Sequence, residues 1–245
     1  MLGFVALIFI GGAVGASGVS LPQSYSILLS LLALQGIGLV GTASFYLSTT
    51  DKDLDYIKLY KPSLRQVGAG FGGVVVMLVA VVGISMVLQA LGQSAAEHGT
   101  VEQINDNPSI ALYMVPLSIL VIGPSEELLF RGVIQTKLRE SFSGAGAVGV
   151  ASVIFSLIHI PAYGSDVIAE IVQRGSVTME NLQSLGVTLM VLFVLALILG
   201  YAYEKTDNLT VPIITHGFYN AFLFGVVYIG AQYADELEEA AHILL

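Results

Sequence analysis

Residues 113–133 read YMVPLSILVIGPSEELLFRGV, an apolar stretch that nevertheless contains three charged side chains, Glu126, Glu127 and Arg131. A helix needs about 20 apolar residues to cross a bilayer, and this stretch is long enough. Ionisable groups inside such a span are costly unless they have a partner or a function. The stretch therefore predicts a membrane helix and indicates where a functional site is to be sought.

The whole chain has the composition of a membrane protein. Of its 245 residues, 55% are apolar and 11% are charged, and the mean hydropathy is +0.83. A soluble domain carries roughly 25% charged residues, and a disordered chain has far fewer apolar ones. Both classes are excluded. The lack of cysteine excludes thiolate chemistry and disulfides, and the net charge of −9 argues against nucleic acid as a partner.

Long apolar runs predict an all-α fold, a polytopic transmembrane helix bundle with about seven spans. The runs are continuous rather than alternating, so they indicate helices and not barrel strands. The first run has no basic residue before its apolar core, which favours a membrane helix over a signal peptide. The predicted spans are 2–20, 24–47, 67–91, 110–136, 145–163, 185–203 and 209–231.

The basic residues predict the orientation of these spans. Eight of the nine lie on one side, and Arg174 is alone on the other, a positive-inside pattern. We therefore expect a multi-pass protein of the cell membrane with a cytoplasmic amino terminus and a carboxyl terminus outside. The eight are Lys52, Lys58, Lys61, Arg65, Arg131, Lys137, Arg139 and Lys205.

The two adjacent glutamates of the fourth span cannot share one role, because neighbouring helical residues project about 100° apart. Glu127 stands four residues before Arg131, the spacing of a helical ion pair, so we assign it to that pair. Glu126 is then an unpaired carboxylate and the candidate functional group. Ser125 lies on a different helical face and is a weak candidate for a nucleophile.

Polar candidates in two other spans fall at a similar depth. His159 lies in the fifth span, and His216 and Asn220, four residues apart, share one face of the seventh. At 1.5 Å per residue from the inner ends, Glu126 lies at roughly 15 Å, His159 at roughly 21 Å, His216 at roughly 10 Å and Asn220 at roughly 17 Å. The four groups are therefore expected in one layer, nearer the inner face.

Such a set suits hydrolysis by activated water. Glu126 is a candidate general base, with one imidazole orienting the water and the other, together with Asn220, stabilising the oxyanion. Alternatively, Glu126, His159 and His216 hold a zinc ion whose bound water becomes acidic. The residues alone leave both chemistries open.

These residues resemble the signature motifs of the CAAX protease and bacteriocin-processing family, intramembrane endopeptidases that include the type II CAAX prenyl endopeptidases. The three motifs are Glu126-Glu127 with Arg131, Phe155 with His159, and His216 with Asn220. The combination is specific, and the resemblance covers about residues 110–231. It divides the chain into N-terminal transmembrane helices at 1–100, a catalytic helical core at 110–231 and an acidic tail at 232–245.

The resemblance implies a helical membrane fold with a cavity open to the cytosol and an active site toward the cytoplasmic side. It implies that Glu126, His159 and His216 are catalytic and that Asn220 belongs to the oxyanion site. Glu127, Arg131 and Phe155 are implied as supporting residues. The family is commonly described as metalloproteases, so Zn²⁺ is the expected cofactor if the enzyme depends on a metal, with Glu126, His159 and His216 as its ligands.

The leading hypothesis is an endopeptidase that cuts a membrane-associated substrate, either a hydrophobic peptide or a lipidated one such as a prenylated CAAX protein. The alternative is a non-proteolytic membrane protein that binds a partner, as an immunity or scaffold protein would. A proton-coupled transporter is disfavoured, because the spans do not pair into two matching halves.

One inner segment has a pattern of its own. In residues 51–66, Leu54, Ile57, Tyr60 and Leu64 recur at helical spacing beside basic residues. This inner amphipathic loop is expected to lie on the inner membrane surface, with a plain charged loop as the alternative.

Overall fold

The computed structural model describes residues 23–96, 104 and 107–233. The predicted span 2–20 and nearly all of the acidic tail lie outside the described residues. Within them, six helices are long and apolar enough to cross a membrane, and no residue is in a β-strand. They are α1 (Leu29–Thr49), α2 (Leu64–Ala90), α3 (Ser109–Leu138), α4 (Gly144–Tyr163), α5 (Met179–Thr206) and α6 (Thr210–Gln232).

These helices confirm the prediction of an all-α, multi-pass membrane protein, and they correspond to the second to seventh predicted spans. The largest difference is at α5, which begins at Met179 rather than at 185. Thr178 caps its N-terminus by accepting a hydrogen bond from the Asn181 backbone. A good cap lets a helix continue through polar residues, so the helix extends beyond the apolar run.

π-Helical turns occur in α1 and α3, two helices that carry buried or partly buried polar side chains. In α3, π-helical turns at Ser118–Ile122 and Leu128–Gln135 flank the α-helical turn Gly123–Glu127, and α1 contains a π-helical stretch at Leu32–Val40. Pro116 and Pro124 lie inside α3 and cannot donate backbone hydrogen bonds, which favours such departures from α-helical bonding. π-Helical turns are frequent at functional sites.

A close helix crossing brings α3 and α6 together beside the glutamate pair. A side chain added at Gly123 would meet the backbone nitrogen and Cα of Gly217 at 2.9 Å. Gly217 in turn lies against the backbone of Ile119. Small residues permit this approach of two backbones, which would otherwise be held apart by side chains. The crossing places His216 next to the carboxylates of α3.

The inner segment 51–66 differs from its sequence-based prediction. Up to Ser63 it consists of turns and irregular backbone, and Asp51 and Lys58 adopt the left-handed conformation that interrupts a helix. Ile57 is fully buried, whereas Leu54 and Leu64 are exposed, so the predicted common apolar face is absent. The hydroxyl of Tyr203 in α5 donates to the Ile57 carbonyl oxygen over 3.0 Å. The segment therefore packs against the helix ends.

Polar contacts link this segment, the loop that follows α3, and the C-terminal end of α5 with the loop after it. The Tyr56 hydroxyl donates to Glu140 over 3.0 Å, Lys58 pairs with Asp207, and Arg139 pairs with Glu204 at 2.9 Å. The Lys137 ammonium and the Tyr56 hydroxyl hold the pKa of the Glu140 carboxyl below its usual range. Lys58, Lys137 and Arg139, three of the basic residues that predicted the orientation, thus lie on the same side of the bundle.

Candidate active site

The site is centred on the two glutamates of α3, of which Glu127 is fully buried. Its Oε1 accepts a hydrogen bond from Arg131 Nη1 over 2.8 Å, so the predicted ion pair is present. The same oxygen lies 2.7 Å from Nδ1 of His216 on α6. Arg131 also donates from Nη2 to the Ala196 carbonyl oxygen of α5 over 3.0 Å. The pair of Glu127 and Arg131 therefore connects α3 to both α5 and α6.

Glu126 is more loosely held than its neighbour and faces both site histidines. Its Oε2 lies 3.9 Å from Nε2 of His159 and 3.9 Å from Nε2 of His216. These separations are too long for direct hydrogen bonds, and one water molecule can bridge groups at such distances. The Glu126 side chain is 10% exposed, His216 is 7% and His159 is 19%. The centre is therefore enclosed, and it is most accessible beside His159.

His159 is positioned by the end of an α-helix. The helical segment Gly144–Ile158 ends just before it, and Pro161 follows in the short turn Ile160–Tyr163. Its Nδ1 lies 2.7 Å from the Phe155 carbonyl oxygen. A carbonyl oxygen only accepts, so Nδ1 carries a hydrogen and donates it. Nε2 is consequently the nitrogen that faces Glu126.

Phe155 forms the packing surface behind the polar groups. Its ring centroid lies 4.6 Å from that of His159 and 6.0 Å from that of His216. The Arg131 guanidinium carbon lies 4.7 Å from the same centroid, a cation–π contact. This buried phenylalanine fixes the imidazoles and the guanidinium relative to one another, which gives a physical basis for the supporting role that the resemblance implies for it.

Asn220 lies one helical turn after His216 on α6 and is partly buried. Among the described residues its side chain makes no hydrogen bond or ion pair, so its carboxamide is not tied to another group of the centre. Its role at an oxyanion site stays a prediction.

Gln35 of α1 is a member of the centre that the sequence analysis missed. Its Nε2 donates to Glu126 Oε1 over 3.1 Å, and its Oε1 accepts from the Ser125 hydroxyl. The available signal was weak but present, since Gln35 is the one carboxamide in the apolar run 24–47. A polar side chain in a span tends to bond to a neighbouring helix.

The centre has the types of donor atom that zinc prefers, but these atoms do not converge on a single point. Two imidazoles whose Nδ1 atoms bond to a carboxylate or a carbonyl are typical of metal ligands. Zinc, however, requires its donors within about 2.0–2.2 Å of a single point. Within residues 23–96 and 107–233, no three His, Asp or Glu side chains form a group that could hold a metal ion. The side chains as positioned therefore do not fit a zinc ion.

The fold and the centre together define a multi-pass membrane protein with a buried glutamate–histidine site. Residues 108–222 match the family model described as "Type II CAAX prenyl endopeptidase Rce1-like". This segment, a little under half of the chain, is therefore similar to a family of proteases. The matched segment contains Glu126, His159, His216 and Asn220. No curated protein and no solved structure matches the chain.

Proposed function

We propose that the protein is an intramembrane endopeptidase in which Glu126 activates water to hydrolyse a peptide bond. The observation that carries this proposal is the approach of two imidazole Nε2 atoms to the same carboxylate oxygen, each at 3.9 Å. A water molecule hydrogen-bonded to that oxygen also lies within reach of an imidazole. Glu126 removes its proton as the oxygen attacks the carbonyl carbon of the substrate.

The Nδ1 partners of the two histidines support different roles for them. His159 donates from Nδ1 to a neutral carbonyl, so its neutral form has a free lone pair on Nε2 that orients the water. His216 faces the Glu127 carboxylate, which stabilises a second proton on its ring. Its Nε2–H then donates to the oxyanion of the tetrahedral intermediate, with Asn220 as a second donor.

A second proton on His216 also balances the charge of the centre. The carboxylates of Glu126 and Glu127 are then matched by Arg131 and His216. A net charge of zero reduces the cost of placing ionised groups inside a membrane.

The substrate class and orientation are parts of the same proposal. The matched family is named for prenyl endopeptidases, and the site lies within an apolar helix bundle. Both support a hydrophobic or lipidated peptide, such as a prenylated CAAX protein, that enters from the membrane. The basic residues gathered on one side of the bundle support a cytoplasmic position for that side, and an active site toward it stays an expectation from the family resemblance.

The test is cleavage by the purified protein in liposomes, with a prenylated peptide and its unprenylated counterpart as substrates. Mass spectrometry identifies the new termini. We expect cleavage of the prenylated peptide and its loss in Glu126→Ala. Glu180→Ala is the matched control, because Glu180 is exposed in the first turn of α5. Full cleavage by Glu126→Ala would contradict the proposal.

Zinc dependence is a separate prediction and needs its own experiment. Elemental analysis of the active protein and cleavage after chelation provide it. A stoichiometric metal whose removal abolishes cleavage would favour the zinc form, and it would require the imidazoles and Glu126 to draw closer than they are here. Activity that survives chelation, without bound metal, would favour direct activation of water by Glu126.

A further inference from the structure

The carboxylate of Glu126 is held from the side opposite the histidines by a residue outside the matched domain. Gln35 lies in the π-helical stretch of α1, and its carboxamide contacts Glu126 Oε1 at 3.1 Å. The family match begins at residue 108, so it assigns no role to this position. The contact joins α1 to the proposed base.

The orientation of the Gln35 amide follows from its two neighbours. An ionised carboxylate can only accept hydrogen bonds, so the amide must present its Nε2 to Glu126. Its Oε1 then faces the Ser125 hydroxyl, which can donate to it. The same hydroxyl lies 3.0 Å from the Ile122 carbonyl oxygen, and its single proton serves one acceptor at a time. Ser125 thus anchors the far side of the amide.

This arrangement divides the two oxygens of Glu126 between different tasks. Oε1 receives the hydrogen bond from Gln35, whereas Oε2 faces the Nε2 atoms of His159 and His216. A carboxylate anchored at one oxygen has less freedom to rotate about its last torsion angle. Preorganisation of this kind aims the basic oxygen at the water before the reaction starts.

We propose that Gln35 is a positioning residue for Glu126, and that it acts by holding Oε1 so that Oε2 faces the two imidazoles. The inference rests on the proposed peptidase function. It extends the working site to α1, a helix that contributes none of the residues that resemble the family motifs.

The test is steady-state cleavage by Gln35→Met, which keeps the length of the side chain and removes its hydrogen bonds. We expect kcat to fall by about 10-fold or more, because a misplaced catalytic group reacts more slowly, with KM and the unfolding midpoint unchanged. Gln89→Met in α2 is the matched control, because Gln89 is exposed and lies next to the last residue of that helix. It should keep the kcat of the wild type.

A double-mutant cycle with Ser125→Ala separates positioning from general packing. If Ser125 acts by anchoring the amide, Ser125→Ala lowers kcat less than Gln35→Met does, and the double variant is no worse than Gln35→Met. A wild-type kcat in Gln35→Met overturns the inference. A fall in kcat that is accompanied by a fall in the unfolding midpoint also overturns it, because general loss of packing would then explain the fall in rate. An inactive wild-type protein would instead refute the proposed function, and the inference with it.

Discussion

Helices α2 and α3 are similar in length and both are apolar enough to cross a membrane, yet they do different work. In α2, Leu64–Ala90 is one regular helix, and 6% of the residues in its apolar 18-residue stretch are buried. In α3, Ser109–Leu138 alternates between α- and π-helical turns, and 44% of the residues in its apolar 18-residue stretch are buried. Most side chains of α2 are exposed, and only one of its faces packs closely on α6, through Gly70 and Gly73, whereas α3 lies deeper among the other helices.

The contrast indicates that a membrane-spanning helix carries a functional site where polar groups, prolines and glycines occur together. The single charge of α2 is Arg65, exposed in the first turn, where it can reach the membrane surface. In α3, Lys137 is exposed in the last turn, whereas Glu126, Glu127 and Arg131 lie in the interior and each has a protein partner or faces one. The same substitution at an arginine or a glycine of each helix can therefore test the contrast.

The largest expected loss of stability comes from Arg131→Met. It leaves the fully buried Glu127 without its guanidinium partner, and breaking a buried pair costs about 3–5 kcal/mol. Unfolding in detergent by increasing denaturant measures it. The matched change in α2, Arg65→Met, should shift the free energy of unfolding by about 0.5 kcal/mol or less, because Arg65 is exposed. Equal losses would break the contrast.

Glu127→Gln should have the next largest effect, and it should appear in activity. The amide retains hydrogen-bonding atoms but lacks the charge that favours a protonated His216. We expect kcat to fall by about 100-fold, which corresponds to about 2.7 kcal/mol. Initial rates of peptide cleavage measure this effect, with Glu180→Gln as the control. A variant with the wild-type rate would remove Glu127 from the mechanism.

A smaller loss is expected from Gly123→Ala at the crossing of α3 and α6. The added methyl group would lie 2.9 Å from backbone atoms of Gly217, so the helices must separate. Overpacking of this kind costs about 1–3 kcal/mol. The unfolding midpoint should fall, and because His216 adjoins Gly217, the cleavage rate should fall as well. A stable, fully active variant would show that the crossing can widen freely.

The smallest effect is expected from Gly72→Ala in α2. Apart from its chain neighbours and the nearby backbone of its own helix, no atom lies within 4 Å of the added methyl group, and Gly72 is exposed. Alanine is favoured over glycine in a helix interior by up to about 1 kcal/mol, so stability should be unchanged or slightly increased. Thermal unfolding in the same detergent checks this. A loss as large as that of Gly123→Ala would show that the exposed face of α2 also packs closely against protein.

The fold could be predicted from the sequence because the bilayer restricts helices so strongly. Apolar run lengths located all six described spans within a few residues, apart from the capped start of α5. The turns of segment 51–66 could not be predicted from apolar spacing. Ile57 is buried by a tertiary contact with α5, and Tyr203, its partner, stands far from it in the sequence.

Estimated depths predicted that Glu126, His159 and His216 lie at a similar level, but individual contacts were predicted only where they follow helical spacing. The pair Glu127 and Arg131 is four residues apart, so local geometry was sufficient. The contacts of His216 with Glu127 and of Gln35 with Glu126 join distant helices. They depend on how α1, α3 and α6 pack together, which hydropathy does not specify.

The most direct test of the account is one sample of Glu126→Gln, measured for both cleavage and stability. Glutamine keeps the shape of the side chain but cannot take a proton from water at neutral pH. We predict that kcat falls by about 10³-fold or more while the unfolding midpoint stays at or above that of the wild type. Cleavage at the wild-type rate by this folded variant would contradict the claim that Glu126 is the catalytic base.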